Sequence, residues 1–324
     1  MRSKTQVAAV TVAFLINTMG GMTVFAQPPS GATEDSPSRS IYDFEIRRAG
    51  KKRSSLYWHP VSTFFVPGLA QFTNGQTEAG FVYAGVGAVG VGTAIGALVS
   101  NSDSVNASAD LGNLNDRQKA FVWGAQTYQT AGSLSTYHAF RSVVKQRQEL
   151  GEFGFLKVDE HNGELMTAPF KVEFLARPST FIPLALLAGG LIYYHNNEGS
   201  LTRPLTLSDG LFSAGASYNA GVGEEALFRG YLMMNLRESW GSDFWSNTAT
   251  AAIFAAAHLS EHNKYPWPQF IMGYYLGWMT QANQWTLAES IFLHTWWDVL
   301  ALSAAMAEST TSGAVWLPLA MIRF

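Results

Sequence analysis

Ala79-Gly-Phe-Val-Tyr-Ala-Gly-Val-Gly-Ala-Val-Gly-Val-Gly-Thr-Ala-Ile-Gly-Ala-Leu-Val99 carries no charged residue. A helix of about 20 apolar residues crosses a hydrocarbon core of roughly 30 Å, so this run has membrane-spanning length. The composition of all 324 residues points the same way, with 47% hydrophobic and 14% charged. Soluble domains carry about 25% charged residues, so the pattern argues against a soluble enzyme. The net charge of -3 comes with no basic stripe interleaved with aromatics, which excludes a nucleic-acid partner. With no cysteine, disulfide scaffolds, thiolate metal sites and cysteine nucleophiles are excluded together. The fold class that follows is all-α, a polytopic membrane helical bundle.

Upstream, Arg2 and Lys4 precede an apolar stretch from Val7 to Met19, and Val24-Phe25-Ala26 leads into a polar segment. Residues 1–26 thus have the three parts of a secretory signal peptide, with an uncleaved signal anchor as the rival reading. Residues 27–63 are rich in Pro, Ser, Gly and charge and read as a flexible linker. They include the cluster Arg47, Arg48, Lys51, Lys52 and Arg53, which the positive-inside rule would hold in the cytoplasm and a cleaved signal would place outside.

Pro67-Gly68-Leu-Ala-Gln71 then looks like a turn that leads into membrane spans in assorted bacterial proteins. Residues 64–145 read as a membrane hairpin, one arm being the uncharged run and the other a more polar helix from Ala120 to Val144, joined by a loop from Asn101 to Lys119. Ala84, Ala88, Gly92 and Gly96 recur every four residues, the small-xxx-small spacing that lets helices approach closely. Residues 146–178 read as an extramembrane connection with hairpin character at His161-Asn162-Gly163.

The remainder, 179–324, reads as closely spaced apolar helices near Phe181–Tyr194, Leu211–Asn235, Phe244–Leu259, Gln269–Ala282, Thr286–Ala307 and Ala314–Ile322. The long runs lack the alternation of lipid-facing strands, which disfavours a β-barrel.

Ionisable residues stand out within these helices, because at membrane depth they are costly and kept mainly for function. Glu224-Glu225-Ala-Leu-Phe-Arg229-Gly230 is followed by Phe254-Ala-Ala-Ala-His258 and then His294-Thr-Trp-Trp-Asp298. Adjacent glutamates on a helix point about 100° apart and serve different partners. Glu225 and Arg229, at i, i+4 with the acid first, are placed for an ion pair, which leaves Glu224 free to face a cavity. His294 and Asp298 lie one turn apart on one face. Glu224 with His258 can deprotonate water, and His294 with Asp298 can hold an oxyanion.

In order and spacing, EExxxR, FxxxH and HxxxD resemble the CPBP family of CAAX prenyl proteases, bacteriocin-processing enzymes and Abi relatives, over roughly Thr206 to Leu302. The resemblance implies an intramembrane endopeptidase acting on a peptide or protein substrate at the lipid bilayer, with the first glutamate activating water. It also implies a multi-pass membrane location, in a bacterial inner membrane if the lead-in turn is a guide. Asparagine is common in the family where Asp298 stands. An ionised carboxylate cannot donate a hydrogen bond, so Asp298 is protonated, orients His294, or binds metal.

No organic cofactor is implied. Glu224, His258 and His294 are donors that zinc accepts, and the sequence does not separate a metal-bound water from a glutamate-activated one. His258-Leu-Ser-Glu261-His262 also spells HxxEH, the inverted zinc-protease pattern, but Asn263 and Pro266 end the helix at once. His59, His138, His161 and His195 belong to no constellation. The competing readings are a non-catalytic membrane binding or immunity protein of the same fold, and an ion-coupled transporter.

Overall fold

The computed structural model describes residues 53–99, 114–148, 151–198, 201, 203–259 and 263–307. The segment 1–26, most of the 27–63 stretch with Arg47 to Lys52, the Glu261-His262 pair and the segment Ala314–Ile322 lie outside the described residues. The described residues from Leu56 onward pack as one unit.

The order is α1 (Arg53–Phe65), α2 (Leu69–Thr73), α3 (Thr77–Val99), α4 (Asp116–Gln148), α5 (Asn162–Thr167), two single 3-10 turns (Ala168–Phe170 and Val172–Ala176) and α6 (Pro178–Glu198). Then come α7 (Leu207–Leu227), a π-helical turn (Phe228–Met233), α8 (Met234–Trp240), α9 (Asp243–Ala257), α10 (Trp267–Ala282) and α11 (Ala288–Ala307). The described residues are all-helical, as the periodicity predicts. Among them, Thr77–Val99 is the helix long and apolar enough to cross a membrane by length and composition.

Three details differ from the sequence reading. Helix α1 begins at Arg53, ten residues inside the stretch read as linker, and its second half packs on α4, with Thr63 fully buried and its hydroxyl 3.1 Å from that of Thr136. His161-Asn162-Gly163 is not a hairpin turn. His161 is the N-cap of α5 and its N–H donates to Glu164 Oε2 at 2.9 Å, so the chain enters a helix here.

The close-packed face of α3 is not the four-residue stripe either. Gly92 and Gly96 face open space and Ala88 is exposed, while Gly80, Gly87, Gly90 and Ala97 are buried. A strict four-residue repeat drifts around a helix of 3.6 residues per turn, whereas spacings of seven and three stay on one face. A Cβ on Gly90 would lie 2.6 Å from Tyr128 N and 2.7 Å from Gly124 O, so the α3 and α4 backbones meet where neither has a side chain.

Helix α7 is the centre of the bundle, with α4 on one side and α11 on the other. Thr206 caps its start in a box with Asp209, which also binds Lys119 of α4 at 2.8 Å. The α9–α10 hairpin closes on the π turn. Gly241, with φ 68°, ends α8, and Ser242 caps α9. A methyl group at Gly221 would collide with Thr295, so this glycine brings α7 against α11 one residue from His294.

The start of α11 is held from far away. Glu160, from the connection before α5, accepts hydrogen bonds from Leu287 N (2.8 Å) and Ala288 N (3.1 Å), groups that a helix leaves unpaired at its first turn. Just upstream, Gln284 and Trp285 adopt positive φ, a costly conformation for non-glycine residues, stabilised by burial of Trp285 against Phe155 at 4.7 Å between ring centroids. Loss of water around the Glu160 carboxyl pushes it up to about 7, against the pull of the two N–H groups.

Candidate active site

The three motifs converge. Glu224 and Glu225 come from the last turn of α7, Arg229 from the π turn, His258 from the C-cap of α9, and His294 and Asp298 from α11. All six are buried, and Glu225 and Arg229 are fully inaccessible.

Arg229 Nη1 donates to Glu225 Oε1 at 2.8 Å, as the i, i+4 spacing predicts. Three further features of this pair are not legible in the spacing. Arg229 Nη2 donates to Gly273 O at 2.8 Å, tying the π turn to α10, and the guanidinium lies 4.5 Å from the centroid of Phe254. Glu225 Oε1 also accepts from His294 Nδ1 at 2.8 Å. A carboxylate only accepts, so this contact sets the proton of the ring on Nδ1. Glu225, and not Asp298, orients His294.

His258 is fixed in a parallel way. Its Nδ1 lies 2.7 Å from Phe254 O, a carbonyl that can only accept, so Nδ1 carries the proton and Nε2 is left with its lone pair. Helix α9 ends at Ala257 with His258 as its C-cap, and Glu261 and His262 of the HxxEH pattern lie outside the described residues. Phe254 packs against both imidazoles, at 4.5 Å from His258 and 6.0 Å from His294. That gives the aromatic of the FxxxH motif a role in spacing the two rings.

Glu224 Oε2 lies 3.9 Å from Nε2 of His258 and 3.9 Å from Nε2 of His294. Asp298 Oδ2 lies 3.5 Å from the same His294 Nε2. Glu224 Oε2, His258 Nε2 and both oxygens of Asp298 are buried and make no hydrogen bond to the described residues. A buried acceptor without a donor costs about 1–3 kcal/mol, and here several share one place. The arrangement accepts protons from a third species, which suits a small polar molecule bearing two O–H groups.

The separations are wider than a zinc site needs. Donors about 2.1 Å from a tetrahedral ion lie about 3.4 Å from each other. Among the described residues no three His, Asp or Glu side chains are grouped to hold a metal ion. As arranged, the residues do not fit one.

On the side of Glu224 toward α4 is a cavity of about 10 Å³ lined by Gln126, Gln129, Thr130, Asn219, Gly223 and Glu224. Sequence reasoning did not single out the α4 residues, because a polar helix has no signal for which of its faces meets a site. His59, His138, His161 and His195 are elsewhere, with His59 near Thr73 and His138 near Tyr83.

Residues 207–300 match the family of type II CAAX prenyl endopeptidases described as Rce1-like. The matched segment contains all six motif residues and excludes α1 to α6. No curated protein and no solved structure matches the chain.

Proposed function

We propose, for a chain whose residues 207–300 place it in the CPBP/CAAX protease family, that the protein is a multi-pass intramembrane endopeptidase. The observation that carries this reading is Glu224 Oε2 set at equal 3.9 Å distances from two imidazole nitrogens buried inside the bundle. Glu224 is the general base. It takes a proton from a water held between it and His258, and the hydroxide formed attacks the carbonyl carbon of the substrate amide. His294, protonated on both nitrogens with Nδ1–H held by Glu225, donates from Nε2 to the oxyanion, and a protonated Asp298 supplies a second donor. The C–N bond then breaks, and the proton from Glu224 passes to the leaving amine. Water and one amide become an acid and an amine, with no metal in the sequence of steps.

A membrane setting for the whole bundle is supported by its surface. Phe181, Leu186 and Ile192 on α6, Leu207 and Leu211 on α7, and Ile253 on α9 are exposed, as is most of α3. Apolar surface on this scale suits lipid. Trp240, Phe244 and Trp245, exposed around the α8–α9 turn, suit the headgroup level. The substrate is a membrane-associated peptide or protein, and a bacterial inner membrane is the proposed site of action. Residues 179–324 form the catalytic domain and 64–145 the hairpin against which it packs.

The test is cleavage of a quenched-fluorescent decapeptide library by protein purified into lipid vesicles. Cleavage by wild type and none by a folded Glu224→Gln variant is expected. A wild type that cleaves nothing, or a variant as active as wild type, overturns the reading.

A further inference from the structure

A peptidase buried among apolar helices consumes one water per turnover, and bulk water does not reach Glu224 through lipid. Resting on the peptidase reading, we propose that α4 carries a water-supply site: Gln126 and Gln129, with Asn219 of α7, hold a water that replaces the one consumed beside Glu224. Both glutamines are positioning residues and neither touches the substrate.

The size and lining of the cavity between α4 and α7 make the case. About 10 Å³ is the room of one water, and a buried water needs two to four polar partners. Gln126, Gln129, Thr130 and Asn219 provide them without any cationic group, so a carboxylate or phosphate would find no counter-charge there. The Oε1 of Gln126 is buried and accepts no hydrogen bond from the described residues, an acceptor whose partner is to be expected in the cavity. Gln126 and Gln129 stand at i, i+3 on one face of α4, so both amides reach the same space.

The frame is rigid where it must be. Thr130 Oγ1 donates to Asn219 O at 3.0 Å, and Asn219 Nδ2 donates to Thr127 Oγ1 at 3.2 Å, which fix α4 to α7 at the level of the cavity. The cavity borders Glu224 and neither histidine. One carboxylate therefore separates the stored water from the place where the imidazoles hold the reacting one. None of the α4 residues is in the matched segment 207–300, so water supply is a contribution of this chain's first half.

Two measurements test this. A structure of the purified protein at a resolution that shows ordered solvent is expected to hold a water within hydrogen-bond distance of Gln126 Oε1, and a Gln126→Met/Gln129→Met protein to lack it. In kinetics with the decapeptide library, that double variant is expected to lose at least tenfold in kcat with KM within twofold and melting unchanged. Gln126→Asn, with the amide kept, recovers most of the rate if the polar group matters and not the packing. A dry cavity in the wild-type structure, or an unchanged kcat in a folded double variant, overturns the water-supply site. If instead Glu224→Gln remains active, the peptidase reading falls, a result that the other two measurements do not produce.

Discussion

The α3–α4 hairpin and the α7–α11 bundle are packed by opposite means. Between α3 and α4 the backbones touch at Gly90 and Gly124, and the ionisable side chains that bridge the two helices, Arg117 on the Ala97 and Leu98 carbonyls and His138 against Tyr83, are part-buried or exposed and lie away from that crossing. Between α7, the π turn, α9 and α11, the centre is occupied by Glu224, Glu225, Arg229, His258, His294 and Asp298. The first is the cheaper way to hold helices, since close backbone approach needs only small residues. The second is expensive. Taking a charged group out of water costs several kcal/mol, and apolar replacements of a buried ion pair are often neutral or stabilising. A chain able to pack one half with glycine has no structural need for six ionisable groups in the other, which is why chemistry is the better account of them.

Five perturbations break or sharpen this contrast. The largest effect is expected for Glu224→Gln, which removes the base and keeps the shape. Loss of a general base lowers kcat by about 10²–10⁴-fold, so the variant should be nearly inactive in the peptide assay while melting within a degree or two of wild type. A large drop in melting temperature would put Glu224 among the packing residues.

Arg229→Ala reverses the pattern. It leaves the fully buried Glu225 without its cation, with the His294 N–H still bonded to it, at a cost of about 3–5 kcal/mol. Chemical denaturation in detergent should show that loss together with low activity. A protein that unfolds like wild type would refute a stabilising role for the Glu225–Arg229 pair.

Glu160 brings pH into the comparison. Its carboxyl is at about 7 in the folded protein and 4.5 ordinarily, so between those values the folded state keeps a proton that the unfolded state has released. Stability is therefore highest below pH 4.5, falls as pH rises to 7 by about 3 kcal/mol, and is flat above. Thermal melting from pH 4 to 8 should show this component, and Glu160→Gln should flatten it. A Glu160→Gln protein with the wild-type slope would refute the assignment.

Gly90→Ala tests the other half. The added methyl meets backbone atoms of α4, so the helices must part, at about 1–3 kcal/mol. Melting should drop while the folded fraction keeps the wild-type kcat, because no charged group has moved. Smallest of all is Asp298→Asn. An amide donates to the oxyanion at any pH, so activity should stay within about tenfold of wild type and extend to higher pH. A pH–rate profile showing a uniform large loss would make Asp298 an acceptor.

The sequence by itself determined the elements and the list of ionisable groups that meet in the candidate site. Uncharged length fixed α3, apolar periodicity located the later helices, and the spacing Glu225–Arg229 fixed their ion pair, because all three depend on neighbours within a few residues. It could also pick Glu224, His258, His294 and Asp298, since ionisable groups are conspicuous among apolar ones. Only the tertiary structure decided how they are partnered. That Glu225 bridges Arg229 to His294, that Phe254 separates two imidazoles, and that Glu160 caps a helix 127 residues downstream are contacts between distant segments. The seven- and three-residue glycine stripe of α3 became visible only against α4, because a helix shows every face in its sequence and packing selects one. The same holds for Gln126 and Gln129, ordinary polar residues until α7 brings Glu224 alongside them.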